Sequence, residues 1–339
     1  MKKLMNILSV ISILAVIFFS CKEEEPTKPP TPPSAKAIFV LNAIATSISV
    51  IDLEDNTVYN NVATVGTWPN QLVYHNGKLY CVNSGSNNIM VFNTENLSVE
   101  TPIPLGSGHN PMNMAIYNDN TAYVACSVSN KVLKVNLASK TVTKSIDAGV
   151  GTTGIIIHNN KVYATNTAFD GTTFTYGQGT VTVIDAVTDN VVKTINVGMN
   201  PQDIALAPDS KLHVVCTGDY FSVFGKVFII NPTTDTVTDS IDVGGTPGII
   251  RISSVDKRGY LGVWGMGLLV YNTETKAMIH GTENYFLGKG GSGLYVDPDG
   301  NVYVSVWDDD QVIKLNKDNT ILATYQVGDS PSSLTAKVE

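Results

Sequence analysis

Charge is scarce in this sequence. Only 15% of its 339 residues are charged, and acidic residues outnumber basic ones by 30 to 22. A surface that neutralises phosphates needs clustered lysine and arginine, so the composition argues against a nucleic-acid partner. Cysteine is scarcer still, with four in the chain. Cys21 stands near the N-terminus, while Cys81, Cys126 and Cys216 fall in different repeats, so no disulfide framework is expected. These three read as small buried hydrophobes. Of the five histidines, His75 and His158 lie in expected hairpin turns and His213 in an expected strand, and only His109 stands near a candidate site. A zinc or copper centre needs three or four converging ligands, so neither a metal nor another cofactor is expected. The sequence has no HExxH and no GxSxG elbow; Gly290-Gly291-Ser292-Gly293 only looks similar. Asp297 to Asn301 carries turn chemistry, and Asp308-Asp309-Asp310 reads as a solvated loop. No catalytic constellation emerges. Helical periodicity is missing as well beyond the first twenty or so residues.

What is present begins with a targeting segment. Lys2 and Lys3 precede an apolar run from Ile7 to Phe19, and Ser20 supplies a small residue before Cys21. The run is shorter than the ~20 apolar residues that span a bilayer. Phe18-Phe19-Ser20-Cys21 resembles a bacterial lipobox, which implies a signal peptide over 1–20 and a lipidated Cys21. The stretch 21–36 is rich in proline and glutamate and cannot pack, so it reads as an extended tether reaching roughly 45 Å. Lys22-Glu23-Glu24-Glu25 resembles the acidic signal that sends lipoproteins of Bacteroidetes-like bacteria to the outer surface. The implied location is the outer membrane, exposed at the cell surface, with a periplasm-facing anchor as the alternative. Contact with the membrane would be by the lipid only.

From residue 37 onward the chain repeats. An apolar–Gly step recurs at Gly66, Gly106, Gly149, Gly198, Gly244, Gly288 and Gly328, at intervals of 40, 43, 49, 46, 44 and 40 residues. A period in the forties containing four strand-like runs is the signature of a β-propeller blade. In the first full repeat, strands are expected at 68–74, 78–83, 88–93 and 97–105. KVYATN (161–166), GTVTVID (179–185), KLHVVC (211–216) and KVFIIN (226–231) are second and third strands of later repeats. Residues 67–328 hold six complete repeats. The runs 38–42, 47–52 and 57–66 lack a first strand, and 330–339 supplies one. The fold class is therefore all-β, a seven-bladed β-propeller over 37–339 whose seventh blade is closed by both termini.

LYCVN (79–83), VYATN (162–166), ISVID (48–52), VTVID (181–185) and the VGxxP turns at Gly198–Pro201 and Gly244–Pro247 resemble the YVTN, or YncE-like, propellers. That family hosts many roles, so the resemblance implies the fold and little about function.

In such a fold the fourth-to-first turns and the second-to-third loops share one face around the channel. Trp264 and Trp307 occupy equivalent places after the second strands of blades five and six, and Trp68 lies in the turn into blade one. The opposite arc carries two enlarged aromatic loops, 167–178 with Phe169, Phe174 and Tyr176, and 218–225 with Tyr220, Phe221 and Phe224. Channel-side turns add Asn70, Gln71, His109, Asn110, Met112, Asn200, Gln202 and Asp203. The ligand-binding candidates are Trp68, Asn70, Asn110, Met112, Tyr176, Asn200, Gln202, Tyr220, Phe221, Trp264 and Trp307. An aromatic, mostly uncharged bowl suits a large amphiphilic small molecule held by stacking and amide hydrogen bonds. A surface lipoprotein carrying such a propeller, with CTGDYFSVFGKVFIINPTTDTVTDSIDVGG (216–245), resembles the BtuG cobalamin-capturing lipoproteins of Bacteroidetes. That resemblance implies a cobalamin-like ligand, with a glycan fitting nearly as well, and a TonB-dependent outer-membrane transporter as partner. The alternatives are a protein-interaction or adhesion module, and a lactonase-like hydrolase using His109 and Asp203.

Overall fold

A computed structural model describes residues 35–338. The signal segment, Cys21 and the tether as far as Ser34 lie outside the described residues. The described chain forms seven four-stranded antiparallel sheets and one two-stranded hairpin. Six blades are consecutive in sequence. The seventh is built from Pro331–Lys337 as the innermost strand, followed outward by Ala37–Asn42, Ser47–Asp52 and Val58–Thr64. Ala37 pairs with Lys337 and Leu41 with Ser333, so the two ends of the propeller are zipped together by backbone hydrogen bonds. Closure removes the sheet edges that an open array would present.

The core is distributed between blades. Seven apolar clusters are buried, and each joins the facing sides of two neighbouring sheets. Phe39, Leu41 and Val50 of blade seven meet Leu72, Leu79 and Phe92 of blade one. On the other side of blade seven, Ile38, Val40 and Ile51 meet Tyr303, Val312 and Tyr325 of blade six. Both faces of a middle strand are therefore covered, which is why these strands read as near-continuous apolar runs. Each fully buried Val, Leu, Ile or Phe contributes about 1.5–3 kcal/mol relative to exposure. The outermost strands face water and alternate, as in Thr141–Asp147 with its Thr, Lys and Asp residues.

Polar latches fix the blades in register. The apolar–Gly step packs on an asparagine that ends the second strand of a blade: Gly66 N–H donates to Asn83 Oδ1 at 3.1 Å, and Gly149 N–H to Asn166 Oδ1 at 3.1 Å. A Cβ on Gly66 would lie 2.7 Å from the Asn83 amide carbon, and one on Gly149 2.6 Å from that of Asn166. Glycine is required at these two places by space. In blades two and four the asparagine is replaced by Cys126 and Cys216, both free and buried, and burial pushes each thiol up to about 12. Between blades, Tyr123 donates to Asp189 at 2.8 Å and Tyr163 to Asp235 at 2.7 Å, with Lys134 and Lys161 on the same carboxylates.

Strand bounds match the sequence reading closely, with one correction. The run 97–105 was expected to be the fourth strand of blade one, yet only Ile103–Pro104 pairs there as a strand. Pro102 and Pro104 have no N–H to give a ladder, so this edge is reduced to a stub plus a single bridge from Val99 to Phe92.

Two stability predictions follow from these contacts. Gly149→Ala should lower unfolding free energy by about 1–3 kcal/mol, because the buried amide of Asn166 has nowhere to move. Gly281→Ala, with no atom nearer than 3.9 Å, should leave the unfolding free energy read by urea titration within ~0.5 kcal/mol of the parent. The second prediction concerns His213, fully buried on the second strand of blade four. Its Nδ1 lies 2.7 Å from Tyr271 Oη, and its Nε2 has no partner. Burial depresses its pKa to about 4. The unfolded chain takes up that proton near pH 6.5 and the folded chain only near 4. The stabilisation is complete above pH 6.5 and is lost as pH falls toward 4, by about 3 kcal/mol. Urea unfolding at pH 7 and 4.5 should show a smaller loss in His213→Gln than in the parent.

Candidate functional site

The second-to-third loops and the fourth-to-first turns do share one face. Second-strand ends dock on the turns: Ser84 N–H donates to Trp68 O, Ser127 to Asn110 O, Thr217 to Asn200 O and Ala43 to Ser330 O, each at 2.9–3.0 Å. Among the described residues, the strongly exposed aromatic and methionine side chains are Trp68, Phe169, Phe174, Tyr220, Phe221, Phe224, Trp264 and Met266. All of them sit in loops or turns of this face. The hairpin-turn side of the ring has none.

At the centre of the face the channel opens into a cavity of about 410 Å³, lined by residues from all seven blades. Inner strands alternate, so each residue beside a core position points into the channel. Leu72, Ile204 and Ile250 are buried, and their neighbours Gln71, Asp203 and Arg251 line the opening. The rest of the lining is largely neutral and polar, with Asn70, Asn113, Thr153, Gln202, Ser292 and Ser333 among it. Some of these groups already hold the ring together. Asn70 donates to Pro111 O at 3.0 Å, Asn113 to Thr153 O at 3.2 Å, and Thr153 to Gln202 O at 2.8 Å.

Two aromatic walls border the cavity on contiguous blades. On blades five and six Trp264 and Trp307 pack with ring centroids 4.9 Å apart and planes tilted by 46°, Trp264 reaching into the cavity. On blades four and three, Tyr220 lines the opening and is backed by Tyr176 at 6.1 Å, Phe169 a further 5.1 Å along and Phe174 beyond. Burial and the neighbouring Tyr220 raise the Tyr176 pKa. The aromatic loop of blade three is itself a small hairpin, Phe169–Asp170 paired with Thr175–Tyr176. That of blade four is held by Asp219, whose carboxylate accepts the N–H groups of Phe221, Ser222 and Val223 and the Ser222 hydroxyl. The Ser222 side chain and those amides hold the Asp219 carboxyl well below the usual range. Gly218, at φ +88°, leaves no room for a Cβ, which would fall 1.9 Å from Val223 O.

The candidates divide accordingly. Asn70, Met112, Gln202, Tyr220 and Trp264 line the cavity, Trp307 supports Trp264, and Tyr176 supports Tyr220. Asn200 does not present its amide to a ligand. It is fully buried, donating to Gly218 O at 3.2 Å and accepting from Gln202 at 2.6 Å. Asn110 lies outside the cavity lining, its side-chain oxygen taken by the Ser127 hydroxyl at 3.1 Å. Phe221 stands at the tip of its loop, 87% exposed, and Trp68 projects from its turn, 73% exposed, without a ring partner. Arg251 also lines the cavity, and its signal in the sequence is the alternation of an inner strand, with no turn motif to mark it. Its Nη1 meets Asp203 Oδ2 at 2.8 Å.

No histidine lines the cavity. His109 bonds the Ser129 hydroxyl at 2.9 Å. Ser292 spends its hydroxyl on Ser305 O and Pro331 O. Among the described residues no three His, Cys, Asp or Glu side chains converge as a metal site would require.

The Asp219 cap yields a prediction. In Asp219→Ala, amide exchange at Phe221, Ser222 and Val223 should accelerate at least tenfold while the thermal transition stays in place. Unchanged exchange would mean that packing, and not the carboxylate, orders the loop.

No curated protein matches the chain in sequence. Among solved structures, hydrazine synthase of Kuenenia stuttgartiensis is similar with a TM-score of 0.66 at 18% identity, over 81% of this chain and 92% of that one. A quinonprotein alcohol dehydrogenase-like protein of Bacteroides thetaiotaomicron gives 0.66 at 16% identity, over 90% of this chain and 79% of that one. Likeness at this level speaks for the propeller fold and for nothing finer. A family model described as a domain of unknown function, DUF5074, matches residues 45–246. That segment is more than half of the chain and runs from blade seven through blade four, so this propeller belongs to the DUF5074 family.

Proposed function

We propose that the protein is a non-enzymatic ligand-capture propeller, tethered through Cys21 to the outer membrane and holding a large, flat, amphiphilic small molecule on its aromatic face. A cobalamin-like molecule heads the candidates, and delivery to a TonB-dependent transporter would follow capture. The observation that carries the reading is the cavity itself, a polar floor assembled from all seven blades and bordered by the Trp264–Trp307 and Tyr220–Tyr176 walls. Stacking on the walls would hold the apolar plane of a ligand, and neutral amides such as Asn70 and Gln202 would meet its polar rim. The lipobox at 18–21, the acidic run after it and the resemblance to the BtuG lipoproteins point the same way.

Exposure of Phe174 and Phe221 at the loop tips, 78% and 87%, favours a second reading in which a partner protein covers this face. Calorimetric titration of cobalamin into the segment 37–339 separates the two. Capture predicts one-to-one binding at micromolar affinity or tighter, weakened at least tenfold in a Trp264→Ala, Trp307→Ala double variant. Absence of heat at any workable concentration removes cobalamin as the ligand. Protection of amides 220–224 by a protein and by no small molecule would then favour the docking reading.

A further inference from the structure

We infer that Arg251 is the specificity-determining residue of the cavity and that it selects a planar ligand carrying an anionic, carboxylate-like arm. This inference rests on the capture reading of the same cavity. Arg251 and Arg258 are the chain's two arginines, and one of them stands in the channel. The channel continues below the upper cavity into a second one of about 380 Å³, and Gln71 and Arg251 line both, so they form its waist. An arm descending from the aromatic walls meets this waist.

The hydrogen-bond inventory at the waist is lopsided. Asp203, the lone carboxylate among the residues lining either cavity, is well supplied with donors: Ile204 N–H at 2.9 Å, Ile250 N–H at 3.1 Å and Arg251 Nη1 at 2.8 Å. Arg251 is not supplied in return. Its Nη1 serves Asp203 and Ile250 O, while Nε and Nη2 have no protein partner, and a third of the side chain is exposed. Three N–H donors are left, and two of them, on Nε and Nη2, run parallel along one edge that matches a carboxylate in bidentate fashion. Gln71, the other residue of the waist, already gives its side-chain oxygen to Met114 N–H at 2.7 Å and cannot satisfy that edge. The unmet demand of the waist is for an acceptor. Asp203 fixes the guanidinium in place while leaving the free edge open.

Two probes that share one ring system test this: 1-pyrenebutyrate and 1-pyrenebutanol, each followed by pyrene fluorescence anisotropy on the protein. The carboxylate should bind at least tenfold tighter than the alcohol. In an Arg251→Gln, Asp203→Asn double variant, which replaces the ion pair by neutral amides and strands no charge, that ratio should fall to within twofold. Trp264→Ala should weaken both probes and keep the ratio. Equal affinities in the parent, or a preference that survives the double variant, would overturn the assignment. Binding of the butyrate alone, lost with Arg251, would uphold the fork and refute the aromatic cradle. If neither probe binds, the assignment falls, while the capture reading still stands or falls on the cobalamin titration.

Discussion

Ring closure is the constraint from which the rest of this structure follows. A four-stranded antiparallel sheet with two apolar faces is not stable by itself, and every blade here has both faces covered by a neighbour. Such an arrangement works only if the last blade meets the first. The pairing of Ala37–Asn42 with Pro331–Lys337 makes that meeting part of one sheet, so parting the ends would strip two interblade clusters at once. The seventh blade therefore holds the other six at the curvature that opens the channel.

With stability lodged between blades and the glycine–asparagine latches at the strand ends, the loops of one face are released from structural duty. Blades three and four use that freedom to extend a hairpin and a carboxylate-capped loop. Blades five and six use it to place adjacent indoles. Both extensions are ordered by their own hydrogen bonds, so the aromatic walls are preorganised and a ligand would lose little entropy in fixing them.

Much of the scaffold was legible in the sequence, because β-branched runs bounded by Asn, Gly and Asp mark the middle strands almost residue for residue. Edge strands were less so, since Pro102 and Pro104 break a run that composition alone favours. At the site, repeat position located Trp264 and Trp307 in neighbouring blades, and their contact follows from that placement. It also put the loops of blades three and four on a separate arc, whereas Tyr220 and Trp264 line one cavity. Asn200 was misread because a polar turn residue looks alike in sequence whether its amide is free or consumed by Gly218 and Gln202. Arg251 was hidden for a different reason. Its neighbours are Ile250 and Ile252, and only the two-residue alternation of the inner strand, with Ile250 in the core, turns it toward the channel.

Trp68 shows what the face asks of its residues. It sits in the left-handed region at φ 50°, at the turn position that other blades fill with Asn110, Gly151, Asn200 or Ser330. Asparagine and glycine tolerate that conformation, whereas a bulky side chain there is strained by about 1 kcal/mol. The indole is also 73% exposed and packs on no other ring, so its apolar surface is unrewarded within the chain. Two local disadvantages coincide at one residue, whose carbonyl accepts from the Ser84 N–H and hydroxyl while its indole gains no ring contact. Trp68 lies at the rim, outside the lining of the central cavity. On the capture reading, a ligand broader than the channel mouth would reach the turn into blade one and cover that indole.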